Sequence, residues 1–87
     1  MPKVLLTAAQ REAEREKKQQ KAFNIVLLDR KADGLPNRKI ADGIAVDPAT
    51  FSGYKTDCGR MSLRAFRRFA DVAALTDKEI LSIVKGT

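Results

Sequence analysis

Two short apolar clusters separated by the dipeptide Asp47-Pro48 constrain the fold of this chain more than any other feature. In the first cluster, Ile40, Ala41 and Ile44 are spaced so that they share one face of a short helix. Aspartate commonly caps a helix N-terminus. Proline is tolerated in the first turn because the N–H that it lacks has no partner there. The sequence therefore predicts a helix, a tight turn and a second helix that begins at Pro48.

The second helix carries its own apolar pair, Phe51 and Tyr54, on one face. We expect these aromatic side chains to close onto the first helix and to leave the opposite face of the second helix in solvent. Two short helices joined by a turn of about three or four residues present the second one outward, an arrangement suited to the major groove of DNA. DNA binding is therefore the leading interpretation of this part of the sequence.

The composition is that of one small folded domain with a basic balance. The chain has 87 residues, of which 44% are hydrophobic and 32% are charged, which is too apolar for a disordered tail. Its net charge is +6 and its isoelectric point is near 9.8, which favours a polyanionic partner such as nucleic acid. Charge alone also permits RNA binding, a third hypothesis that rests on nothing else in the sequence.

The residue types needed for most catalytic chemistry are missing. Histidine is absent and Cys58 is the only cysteine, which excludes a Cys/His zinc site, an internal disulfide and a histidine-based triad. The five glycines are scattered and form no phosphate-binding loop. We therefore predict no catalytic residue, no metal site and no cofactor, and we do not expect an enzyme.

No segment of the sequence predicts contact with a membrane. The longest strongly apolar run, Ile25–Leu28, is far too short to span a bilayer. Met1–Leu6 lacks the extended apolar core of a signal peptide. We expect a cytoplasmic protein.

The first part of the chain predicts one long helix with two different halves. Thr7 caps it, and residues 8–21 are strong helix formers that are mostly charged, whereas apolar side chains become frequent from Ala22 onward. The interleaved basic and acidic residues of the first half indicate a solvated helix or one packed against a protein partner. We therefore divide the chain into a polar, helical N-terminal extension, residues 1–21, and a domain, residues 22–87.

The long helix is expected to end where Asp29, Arg30 and Lys31 return to solvent and Gly34 takes a left-handed turn. Capping residues and apolar spacing predict the remaining elements. These are helices over residues 37–43 and 48–55, a polar loop over 56–60, a fourth helix after Ser62, and a fifth after Thr76, with Glu79 completing a capping box and Gly86 ending the helix. Met1–Leu6 is the only possible strand, so the predicted fold class is all-α with five helices.

The positions filled by Ala41, Val46 and Phe51 resemble the signature of the helix-turn-helix domain of phage Cro and lambda-type repressors, the Xre-type regulators. The resemblance covers about Phe23 to Val84. It implies a compact five-helix lambda-repressor-like domain in a sequence-specific transcriptional regulator of phage or prophage type, with repression as the expected activity. Its partner would be double-stranded DNA and its usual assembly a homodimer. Two features depart from the family. It usually has glycine at the turn where this chain has Ala45, and polar base-reading side chains near the start of the recognition helix where this chain has Pro48, Ala49, Ser52 and Gly53.

The resemblance also implies which residues meet DNA. The helix over residues 48–55 would enter the major groove through Pro48, Ala49, Thr50, Ser52, Gly53 and Lys55. Lys39, Lys55, Arg60 and Arg64 occupy positions at which the family contacts phosphates.

The small side chains at the outward positions of this helix support two interpretations. A short-sided helix can approach the groove floor closely, where Ala49 and Thr50 would meet thymine methyl groups. Alternatively, the same fold is a protein-interaction module, either an antitoxin-like adaptor or an inhibitor of a host factor, with the N-terminal extension as a contact for the protein partner.

Overall fold

The computed structural model describes residues 8–86, in which all regular structure is helical and no strand occurs. There are five α-helices and one 3-10 turn: α1 (Ala8–Ala32), α2 (Asn37–Gly43), α3 (Pro48–Thr56), the 3-10 turn Cys58–Arg60, α4 (Leu63–Val72) and α5 (Asp77–Lys85). The predicted all-helical class is confirmed for this part of the chain. The predicted cap Thr7 and the possible strand Met1–Leu6 lie outside the described residues.

The long first helix gives the molecule its elongated form. α1 has 25 residues, which corresponds to about 38 Å of helix, and the molecule measures 52 × 23 × 20 Å. Residues 8–18 are exposed, and the first fully buried side chain of α1 is Phe23. The boundary predicted after residue 21 therefore falls inside one continuous helix.

The core is assembled around Phe23, which has no exposed surface. Its ring centroid lies 5.0 Å from that of Phe69 on α4 and 6.5 Å from that of Phe51 on α3. Ile40 and Ile44 are also fully buried, so the predicted apolar face of α2 points into this core. Burying one such side chain stabilises the fold by about 1.5–3 kcal/mol, which makes these contacts the main support of the short helices.

The helix boundaries follow the predicted capping residues. The carboxylate of Asp47 accepts a hydrogen bond from the N–H of Thr50 at 2.8 Å, with Pro48 in the first turn of α3. Ser62 caps α4 in the same way. A capping box opens α5, because Thr76 accepts from the N–H of Glu79 at 3.1 Å while the Glu79 carboxylate accepts from the N–H of Thr76 at 2.9 Å.

Four of the described residues have positive φ angles, and all four lie in turns that follow helices. Gly34 and Gly86 adopt positive φ angles of +93° and +68°, as predicted for glycines that end helices. Ala45 and Ala74 have φ angles of 59° and 50°, a conformation that costs a non-glycine residue about 1–2 kcal/mol. The glycine near Ala45 is Gly43 instead, where a Cβ would lie 2.7 Å from a methyl carbon of Val72 on α4. Glycine at this position is required for the close approach of α2 and α4.

Arg30 does not face solvent, so our expectation for this residue was wrong. Its Nε donates to the carbonyl oxygen of Ala73 at 2.7 Å, and its Nη2 lies 2.6 Å from Oε1 of Glu79. The end of α4 leaves carbonyl groups without helical partners, and the start of α5 places a carboxylate beside them. The arginine satisfies both groups at once and ties the end of α1 to α4 and α5.

Candidate nucleic-acid interface

The outer face of α3 is built from small side chains. Phe51 and Tyr54 point into the core, so helical geometry places Ala49, Ser52, Gly53 and Thr56 on the opposite side. We call these four residues the α3 ridge. Gly53 is half-buried and the other three are exposed. Because no side chain on the ridge is longer than threonine, a flat or concave partner can approach the α3 backbone closely.

A groove with a largely apolar floor, which includes Ala41 and Phe51, borders the ridge on the side of α2. Its volume is about 240 Å³, and its polar wall is formed by Asn37, Arg38 and Asp42 of α2 with Ser52 and Lys55 of α3. The amide oxygen of Asn37 is buried and has no hydrogen-bond partner among the described residues. The groove therefore presents two cationic side chains and one carboxylate at this edge of the ridge.

Arg60 borders the ridge on the other side. A Cβ at Gly53 would lie 3.8 Å from Nη1 of Arg60, so the guanidinium group is adjacent to the ridge. Its Nε is 3.6 Å from the carboxylate of Asp57, in an exposed pair whose side chains retain 70% and 59% of their accessible surface. Exposed pairs of this kind contribute little stability, so Arg60 can exchange Asp57 for a phosphate at low cost.

The structure brings most of the predicted contact residues together. Pro48, Ser52 and Lys55 line the groove, and Gly53 lies beside Arg60. Ala49 and Thr50 are exposed in the first turns of α3.

Two of the predicted phosphate contacts lie elsewhere. Lys39 is exposed on α2 but does not line the groove, and Arg64 lines a separate depression on α4 with Leu63 and Arg67. Arg38, which was not among the predicted contact residues, does line the groove. Its position was readable from helical spacing, because Arg38 precedes the buried Ala41 by three residues and Asp42 by four.

The charge close to the ridge is nearly balanced. Arg38, Lys55 and Arg60 are accompanied by the carboxylates of Asp42, Asp47 and Asp57. Hydrogen bonds from Thr50 hold the pKa of Asp47 below its usual value, so this carboxylate stays ionised while it caps α3.

The excess positive charge lies on other elements. α4 carries three arginines, Arg64, Arg67 and Arg68, against the single carboxylate of Asp71, and the rest of the surplus is mostly on α1. Arg64, Arg67 and Arg68 are all exposed. Long-range attraction of a polyanion would therefore depend on the charge of the whole surface. The α3 ridge would allow close approach because its side chains are small.

Cys58 lies at the start of the 3-10 turn and is half-buried. Burial, and then the neighbouring charge of Asp57, raise the pKa of its thiol above the ordinary value. The thiol is therefore protonated near neutral pH and is a poor nucleophile.

Two features are absent from residues 8–86, the part of the chain that the structure describes. No group of three or more histidine, cysteine, aspartate or glutamate side chains is arranged there to hold a metal ion. No helix in this range has the length and apolar character needed to cross a membrane. Comparisons with known protein families, with curated proteins and with solved structures returned no match. The function is therefore argued from the geometry of α2, α3 and the 3-10 turn.

Proposed function

We propose that this chain is a sequence-specific DNA-binding transcriptional regulator of the phage or prophage repressor type, which inserts α3 into the major groove. The observation that carries the proposal is the α3 ridge, a face without long side chains that is bordered by Arg38 and Lys55 on one side and Arg60 on the other. The major groove of B-DNA is about 12 Å wide and admits one α-helix. Cations at both edges of such a helix suit the two phosphate backbones that bound the groove.

The proposed mechanism separates positioning from reading. Arg38, Lys55 and Arg60 would neutralise phosphates and fix the orientation of α3, since contacts to the backbone carry no sequence information. Ala49 and Thr50 would contact thymine methyl groups. The hydroxyl of Ser52 would donate a hydrogen bond to a base edge or accept one from it. These few contacts give limited direct readout, so sequence-dependent DNA shape supplies the remaining specificity in this proposal.

A homodimer acting in the cytoplasm completes the proposal. Two copies would bind half-sites about 34–36 Å apart, which multiplies the modest affinity of a single α3. The basic surface of α4 would add attraction for the duplex at long range.

A protein-interaction module is the alternative function, and two observations favour it. The balanced charge near the ridge weakens attraction to phosphates. In addition, Leu63 and Leu28 retain 84% and 69% of their accessible surface, which leaves apolar side chains available for a protein partner to cover. A stoichiometric protein partner, together with no affinity for any duplex, would establish this function instead.

Salt dependence tests the DNA-binding proposal before any operator is known. We would titrate a labelled mixed-sequence duplex with the full chain at about 50 and about 200 mM salt, and an RNA hairpin of similar length in parallel. If three or four phosphates are neutralised, duplex affinity falls by about 40-fold to 150-fold between the two conditions. Duplex affinity that does not change with salt, or a preference for the hairpin, would contradict the proposal.

A further inference from the structure

The side chain of Gln20 on α1 joins three backbone groups at the end of α3. Its Nε2 donates to the carbonyl oxygens of Lys55 at 2.8 Å and Tyr54 at 3.2 Å, and its Oε1 accepts from the N–H of Cys58 at 2.6 Å. Asn24 contributes an additional contact, with its Oδ1 3.2 Å from Nε2 of Gln20. One half-buried amide therefore spans the junction between α3 and the 3-10 turn.

These contacts satisfy groups that a helix leaves without partners. The last carbonyl groups of an α-helix have no intrahelical donor, and α3 ends at Thr56, immediately after Tyr54 and Lys55. The N–H of Cys58 begins the next element and also lies outside any α-helix. A glutamine supplies both a donor and an acceptor, so it can hold the two elements in one fixed relation.

Arg60 lies close to this junction and beside the α3 ridge. Arg60 is two residues after Cys58 in the same 3-10 turn, and its guanidinium lies 3.8 Å from the position of a Cβ at Gly53. If the start of the turn moves relative to the end of α3, the distance between this cation and the ridge changes. Gln20 makes no part of the ridge itself and contacts α3 from the side of α1.

We propose that Gln20 is a positioning residue for DNA binding, which sets the spacing between the α3 ridge and the phosphate-binding Arg60. This inference rests on the proposed function. It assigns a role to a residue within the predicted polar extension, residues 1–21. A positioning residue affects affinity through geometry, because interacting groups must be held within about 0.5 Å of their productive arrangement.

Gln19 provides a matched control on the same helix. Its Nε2 donates to the carbonyl oxygen of Val84 at 2.7 Å, near the end of α5, and it has no contact with α3 among the described hydrogen bonds. Gln19→Met and Gln20→Met each remove one amide and keep a side chain of similar length. A loss of general stability is therefore common to both variants, whereas displacement of Arg60 belongs to Gln20→Met alone.

The experiment measures the affinity of the full chain and both variants for a duplex carrying the site selected from random DNA, at a temperature where circular dichroism shows all three folded. We expect Gln20→Met to weaken binding by about fivefold to tenfold, the size of one weakened contact between Arg60 and a phosphate, and Gln19→Met to stay within about twofold of the parent chain. The N–H of Cys58 should also exchange with solvent faster in Gln20→Met only. If Gln20→Met does not fold, Gln20→Glu is compared with Gln19→Glu, which adds the same charge one residue away.

Equal affinity of Gln20→Met and the parent chain, or equal losses in the two methionine variants, would overturn the positioning role while leaving DNA binding intact. Unchanged exchange of the Cys58 N–H would overturn it as well. A parent chain without affinity for any duplex would remove the proposed function, and this inference would fall with it.

Discussion

Phe51 illustrates how one residue connects the core of this molecule to its proposed function. Its ring is 3% exposed and lies between Phe23 of α1 and Tyr54 of its own helix. The same helix turn places the exposed Ser52 and the half-buried Gly53 on the ridge. Packing of a single aromatic side chain therefore fixes which face of α3 is buried and which is free.

Replacing Phe51 with alanine should cost about 3–5 kcal/mol of unfolding free energy, because the core loses the ring and retains part of the cavity. Urea denaturation followed by circular dichroism measures this loss. Phe66→Ala is the control, since Phe66 is only half-buried at the edge of the same cluster and should cost less. Equal destabilisation by the two variants would show that the register of α3 is wrong.

The environment of Glu79 leads us to expect a specific pH dependence of the unfolding free energy. The hydrogen bond from the backbone N–H of Thr76, and after it the contacts with Arg30, hold the pKa of Glu79 below its usual value of 4.5. A carboxyl whose pKa is lowered by folding stabilises the folded state above its ordinary pKa, and this contribution is lost as the pH falls through the lowered value. Arg30 stays protonated throughout, because the hydrogen bond to Glu79 raises the pKa of its guanidinium further.

Glu79→Gln should therefore be less stable than the parent chain near neutral pH, and the difference should shrink as the pH falls below about 4.5. Thermal unfolding at a series of pH values measures it. Asp77→Asn is the control variant, because it removes a carboxylate from the same first turn of α5 without breaking the ion pair between Arg30 and Glu79. A constant difference between Glu79→Gln and the parent chain at every pH would contradict this account.

At the scale of the elements, local sequence signals predicted the helices well but did not predict the tertiary contacts between them. Asp47, Ser62 and Thr76 mark their helix starts because capping involves residues only three positions apart. The role of Arg30 was hidden, since its partners lie 43 and 49 residues away in the sequence. The same holds for Gln20, whose contacts are 34 to 38 residues distant.

One part of the candidate site could be predicted from local spacing in the sequence, whereas another part depends on tertiary packing. The outward face of α3 follows from the inward pair Phe51 and Tyr54, so the ridge was readable from spacing alone. Which cations border the ridge depends on how α2 and the 3-10 turn pack against α3. Local spacing around Ala41 would have chosen Arg38 over Lys39, whereas the proximity of Arg60 to Gly53 needed the structure.

Gly53 gives the sharpest test of α3 as the DNA-contacting element. A Cβ at this position meets only the end of the Arg60 side chain, at 3.8 Å, so it is accommodated without disturbing the core. Gly53→Glu should abolish binding to a selected duplex, because a carboxylate would stand between the ridge and the groove. Gly53→Ala is the matched control, and it should keep much of the affinity while stabilising α3 by about 0.5–1 kcal/mol.

Gel-shift titration measures the duplex affinity of Gly53→Glu, Gly53→Ala and the parent chain. If Gly53→Glu remains folded and binds as tightly as the parent, then α3 is not the helix that enters the groove.

At the scale of the whole molecule, the proposed functions are spread over different surfaces. The α3 ridge with its bordering cations occupies one side, and the arginines of α4 add positive charge beyond it. The start of α1, residues 8–18, has no buried side chain, and Arg15 lies against Gly86 at the end of α5. A DNA-binding protein and a protein-interaction module would use these surfaces differently, so binding selectivity distinguishes them more directly than stability does.

Selection from random duplex DNA at about 150 mM salt, followed by sequencing of the bound fraction, tests the central proposal most directly. The account predicts enrichment of a palindrome whose half-sites are about one helical turn apart, as expected for a homodimer that places one α3 in each major groove. A bound pool indistinguishable from the input would contradict sequence-specific DNA binding and favour a protein partner.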